Sequence, residues 1–147
     1  MGQEGNTLGK NVRVTVKGTR THENNDQEVI ELLSPGTCHY KGNQYYILYK
    51  ESSFAGMEDC TTTLRTDGKT VTIIRSGSVN SRQVFEEGKA HRSVYQTSFG
   101  CLDITVLPRR VDVDLTEQGG SIKLEYELEL NDSKIGTNVL EIVVENT

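Results

Sequence analysis

The run SIKLEYELEL, residues 121–130, alternates strictly. Ile122, Leu124, Tyr126, Leu128 and Leu130 fall on one parity, and Lys123, Glu125, Glu127 and Glu129 on the other. Side chains of an extended strand point alternately to opposite faces, so this run has one apolar face and one charged face. A helix would scatter the two sets around its circumference. A strand with one face in a core and one in water is therefore the unit this chain must build from. The glutamates are a solvated ladder rather than paired catalytic acids, because like charges at that spacing need water between them.

The same period recurs. Val12, Val14 and Val16 alternate with Arg13, Thr15 and Lys17; Tyr45, Ile47 and Tyr49 with Tyr46 and Leu48; Leu102, Ile104 and Val106 with Asp103 and Thr105; Val111, Val113 and Leu115 with Asp112 and Asp114. The apolar parity changes from even to odd across Leu107, Pro108, Arg109 and Arg110. A one-residue offset reverses faces, so a bulge or break is predicted there, and Pro108, which cannot donate to a ladder, supplies it. Asp112 and Asp114 then form an outward polar face, not a cation site or an acid pair. Residues 26–33, DQEVIELL, read as a strand because SPG follows and both neighbours read β; a helix capped by Asp26 is the other reading.

Turn signals separate the runs: KGNQ at 41–44, TDGK at 66–69, RSGS at 75–78, EEGK at 86–89, EQGG at 117–120 and NDSK at 131–134. Their spacing suits a hairpin meander. Short strands without helices leave a sandwich or a barrel, and an up-and-down meander loses its exposed edges most simply by closing. The predicted fold is all-β: a closed antiparallel up-and-down β-barrel of about eight to ten strands. With 147 residues, one domain is expected at 11–147 behind a flexible polar leader at 1–10. A chain of this length buries enough surface to fold without a disulfide or a metal.

Several function classes are disfavoured. A net charge of −5 argues against nucleic acid as partner, whose footprint is a basic stripe. No apolar run reaches membrane-spanning length, so no membrane partner is expected. The start MGQEGNTLGK lacks signal-peptide regions, and Asn6 stands where a myristoylation pattern wants Ser or Thr. Cys38, Cys60 and Cys101 are odd in number and without a CxxC pair, which reads as reduced structural thiols in a cytoplasmic protein. No phosphate-binding glycine motif, no HExxH, no paired Cys/His spacing and no GxSxG elbow occurs. His22, His39 and His91 are scattered; His39 and Cys38 face opposite sides of a strand, and His22 and His91, beside turns, are expected to be exposed. No catalytic residue, metal or cofactor is expected. An enzymatic role would gain ground only if Arg75 met a carboxylate such as Glu58 or Asp59 in a cleft.

The most site-like stretch is RSGSVNSRQVFEEG, 75–88. As a turn it is ordinary, with Gly77 supplying a positive φ. Its interest lies in Arg75, which follows Val71 and Ile73 onto the inward parity. Gln83 and Phe85 share a face on the next strand, and Tyr95, Thr97 and Phe99 on the one after. A buried Arg must be paired or solvated. Arg75 is thus either a plug closing one barrel end or an anchor for a carboxylate or phosphate head. The candidate interior site comprises Arg75, Gln83, Phe85, Tyr95, Thr97, Phe99, Tyr126 and Tyr49, with apolar walls from Ile47, Ile73, Leu124 and Leu128. Its occupant would be a small amphiphilic or apolar ligand. The alternative is a solid-core interaction module that uses its rim or an edge strand. Self-association into a homodimer is left open.

The segments RSGSVNSRQVFEEG and YQTSFGCLDITV, with NDQEVIEL upstream and DLTEQGGSIKLEYEL downstream, resemble the YwiB-like family of uncharacterised bacterial proteins. The similarity runs from about Val12 to Val144, and its most specific residues are Arg75, Ser76, Gly77, Val79, Gln83, Phe85, Gly88, Tyr95, Thr97, Phe99 and Gly100. It implies a lipocalin-like (calycin) β-barrel in the cytoplasm of a Gram-positive bacterium, and it carries over no catalytic residue. This chain departs from the family in its longer polar leader and its three Cys.

Overall fold

Each alternating run of the sequence becomes a strand, and the strands form one closed sheet. The computed structural model describes residues 9–51 and 60–147. The strands are β1 (Lys10–Thr21), β2 (Gln27–Lys41), β3 (Gln44–Glu51), β4 (Cys60–Thr66), β5 (Val71–Ser76), β6 (Val79–Phe85), β7 (His91–Thr97), β8 (Gly100–Thr116), β9 (Gly119–Leu130) and β10 (Ser133–Asn146). Each pairs antiparallel with the next, and β10 pairs with β1 to close a barrel of ten strands. Odd-numbered strands run towards an upper end, whose turns lie at 22–26, 77–78, 98–99 and 131–132. The lower end carries the turns at 42–43, 67–70, 86–90 and 117–118. In the turn at 67–70, Asp67 accepts the amides of Thr70 and Lys69, which holds its carboxyl below the usual range.

The change of apolar parity within β8 is met by a register shift between Pro108 and Arg110. Arg109 is the extra residue, so Val106 and Pro108 before it and Val111 and Val113 after it all turn inward. The turn after β6 seals this bulge: Gly88 N–H donates to the Pro108 carbonyl at 2.9 Å, and Glu87 accepts the Val111 amide at 2.9 Å. A second shift, between Lys134 and Gly136, bends β10. Residues 26–33 are extended, but β2 does not stop at SPG; it continues to Lys41. Pro35 takes its place opposite Arg13, and Gly36 lets β3 approach, since a Cβ there would run into the Leu48 carbonyl oxygen.

The middle of the interior is solid. Val14, Ile47, Leu64, Val71, Phe85, Ile122, Leu124 and Ile142 are all fully inaccessible to solvent. The thiols are all free: Cys60 is buried with its sulfur against the Val79 carbonyl, Cys101 is exposed, and Cys38 is half-buried. Burial pushes the Cys38 thiol pKa up, an effect nearby Lys10 opposes, so this thiol stays protonated at neutral pH. Two expectations need correction. His22 and His91 are half-buried rather than exposed. His22 reaches across its turn to the Glu28 carboxylate, and His91 opens β7 on the inward parity with its Nδ1 buried.

Candidate functional site

Inward side chains change character towards the upper end. Thr62, Arg75 and Ser81 face each other across β4, β5 and β6, and Arg75 Nη1 donates to Gln83 Oε1 at 3.4 Å. Arg75 is half-buried, as its inward parity requires, and Gln83 is 7% exposed. Opposite them, Tyr126 on β9 lies edge-on to Phe85, with ring centroids 4.9 Å apart. Edge-to-face packing of this kind fixes both rings.

A cavity of about 200 Å³ opens at this end. Arg75, Tyr49 and Tyr126 meet in its lining, with Arg20 and Asn138 on the β1–β10 side and Val16, Leu32 and Leu140 supplying apolar surface. Gly18, inward but without a side chain, leaves part of the space open. The volume lies below the range of pockets for drug-sized molecules. Apolar walls with a few convergent polar groups are nonetheless how small-molecule sites are built.

The candidate residues thus separate. Arg75, Tyr49 and Tyr126 reach the cavity, Gln83 supports Arg75 from behind, and Phe85 supports Tyr126. Tyr95 is half-buried on β7 and packs against the core. Thr97 holds the β7–β8 hairpin instead of facing a cavity: its Oγ1 donates to the Gly100 carbonyl at 3.0 Å and accepts the Phe99 amide at 3.1 Å. Phe99 lies outside the barrel, 99% exposed at the hairpin tip. Its parity matched the inward set, but parity ends where the strand ends, and β7 ends at Thr97. Ile47, Ile73, Leu124 and Leu128 belong to the solid core and do not line the cavity. Glu58 and Asp59 lie outside the described residues. Replacing Phe99 with Ser is expected to change unfolding free energy by no more than about 0.5 kcal/mol in urea titrations, as for a side chain with no packing to lose.

Arg20 and Asn138 were not singled out from the sequence. The β1 parity Val12, Val14, Val16 continues through Gly18 to Arg20, and Gly18 with Thr19 interrupts the apolar signal that would have marked it. Among the described residues no three His, Cys, Asp or Glu side chains are grouped to hold a metal. Nor is any helix long and apolar enough to cross a membrane. A second hollow, about 310 Å³, lies at the lower end between Lys10, Cys38, Tyr45 and Glu117. Its lysine donates to the Glu117 carbonyl at 3.4 Å.

Comparisons with known proteins agree with this architecture. The family model described as a domain of unknown function, DUF1934, matches residues 14–142. The uncharacterised β-barrel protein YwiB of Bacillus subtilis (strain 168) is 30% identical over 112 residues, covering 76% of this chain and 78% of that protein. The crystal structure of the ywiB protein from Bacillus subtilis superposes with a TM-score of 0.83 at 25% identity, covering 95% of this chain and 93% of that one.

Proposed function

The chain belongs to the bacterial DUF1934 family, and on that premise we propose that it is a binding module, a lipocalin-like barrel that holds one small amphiphilic molecule at its upper end. The observation that carries this reading is the 200 Å³ cavity in which Arg75, Tyr49 and Tyr126 converge over Val16, Leu32 and Leu140. A barrel of this size either fills with side chains or keeps room for one small ligand. Here the middle takes the first course and the upper end the second. Arg75 is the anchor for a polar head, held in aim by Gln83. The free thiols suit a reducing cytoplasm.

The test is native mass spectrometry of the protein purified from its own host, with Arg75→Met alongside. A stoichiometric small-molecule adduct is expected on the parent protein. Its occupancy should fall roughly 10-fold or more in the variant, the scale of one lost charged hydrogen bond. Circular dichroism should show the variant still folded. No adduct on the parent, together with a variant that unfolds, would assign Arg75 to closing the barrel end and turn the search to protein partners.

A further inference from the structure

One wall of the cavity holds a chain of side chains whose hydrogen-bond directions are forced. Arg20, inward on β1, donates from Nε to Asn138 Oδ1 at 3.1 Å. A guanidinium has donors only, so the amide oxygen of Asn138 must face it. The Asn138 Nδ2 therefore faces the other way, and it donates to Tyr126 Oη at 3.3 Å. The tyrosine oxygen is the acceptor in that bond, which leaves its own O–H to donate elsewhere. Asn138 is 8% exposed and engaged at both ends of its amide, so it cannot turn over.

The Nη groups of Arg20 and the Tyr126 O–H have no other partner among the described residues. Glu28 stands opposite Arg20 in the β1–β2 register, but its carboxylate contacts His22. Arg20, Asn138 and Tyr126 all line the cavity. The Glu28 carboxylate, engaged by His22, also lines the cavity, but the groups left without a partner on the β1–β10–β9 side, the Arg20 Nη groups and the Tyr126 O–H, are hydrogen-bond donors.

We propose that this wall selects the ionised form of a short organic acid, with Arg20 as a second anchor. Resting on the small-molecule reading above, this names the chemical class of the ligand. The two carboxylate oxygens accept from the planar fork of Arg20 and from Tyr126, a geometry guanidinium groups favour. A short hydrocarbon tail lies on Val16, Leu32 and Leu140. An alcohol of the same length brings no charge to pair with Arg20.

The test is NMR titration of the full chain with hexanoate and, separately, with hexanol. Hexanoate is expected to give saturable shifts at Gly18, Arg20, Asn138 and Leu140, and hexanol to bind much more weakly. Arg20→Met should weaken hexanoate roughly 10- to 100-fold and leave hexanol unchanged. Tyr126→Phe keeps the ring on Phe85 and removes the hydroxyl, both the donor and the oxygen that accepts from Asn138, and should weaken hexanoate several-fold with hexanol again unchanged. Equal affinity of the parent for both probes overturns the proposal while the cavity reading stands. So does an equal loss of both probes in the two variants, because a merely structural role would act on both. Absence of any saturable shift at the cavity with either probe overturns both readings.

Discussion

A chain lacking Lys123 is expected not to form the barrel at all. β9 is laddered on both sides, so each of its inward residues meets two partners: Leu124 lies opposite Leu140 and Val111, Tyr126 opposite Asn138 and Pro108, and Leu128 opposite Gly136 and Val106. Removing one residue after Ile122 moves everything beyond it to the other face. Kept in register, the strand would turn Leu124, Tyr126 and Leu128 to solvent and Glu125, Glu127 and Glu129 inward. Burying an unpaired carboxylate costs several kcal/mol, and a domain has only about 5–15 kcal/mol in total. The escape, a compensating bulge, would have to open in both ladders at once. The variant should show no cooperative urea transition and should elute early on gel filtration, as an expanded chain does; a folded monomer with a sharp transition would refute the face argument.

Deletion of Arg109 is the matched control on the neighbouring strand. Arg109 is the residue the bulge accommodates, so removing it leaves Pro108, Arg110 and Val111 in unbroken alternation with both faces intact. The losses are the bend and an exposed contact between Arg109 and Glu127. The fold should survive with a loss of about 1–3 kcal/mol. Two single-residue deletions on adjacent strands, differing only in their effect on facing, would thus have opposite outcomes.

That contrast also marks what the sequence can reveal. Facing is a local property with period two, and Val12 to Val16, Val111 to Leu115 and Ile122 to Leu130 each carry it unambiguously. The bulge was legible for the same reason, as a change in the parity of apolar residues around Pro108. Phe99 was misplaced because parity has meaning only inside a strand, and the Thr97 hydroxyl had already bent the chain into its turn. Pro and Gly usually interrupt strands, yet β2 runs on through SPG, where Gly36 is needed for the close approach of β3. The cavity itself was illegible. Its lining comes from β1, β2, β3, β5, β9 and β10, and whether such side chains meet or leave a gap depends on strand pairings far apart in the chain. Arg20 and Asn138, 118 residues apart, become partners only when β10 closes on β1.

Phe85→Ala should cost about 3–5 kcal/mol, the range for truncating a fully buried aromatic side chain. Phe85 is inaccessible to solvent, lies opposite Val71 in the ladder, and touches Tyr126 edge to face. The cost is the lost transfer of the ring plus the void left in a closely packed interior. Phe85→Leu should recover more than half, because it restores most of the volume. Equilibrium urea unfolding reads both, and a midpoint for the alanine variant within error of the parent would mean that the barrel repacks freely. The same ring supports the hydroxyl of Tyr126 at the cavity wall, so in Phe85→Ala stability and any ligand affinity should fall together. In Tyr126→Phe the ring contact survives while Asn138 Nδ2 loses its acceptor, so affinity should fall with a smaller stability loss of about 1–3 kcal/mol. The solid core is therefore not a separate compartment from the cavity: it sets the position of the wall residue that an occupant would meet.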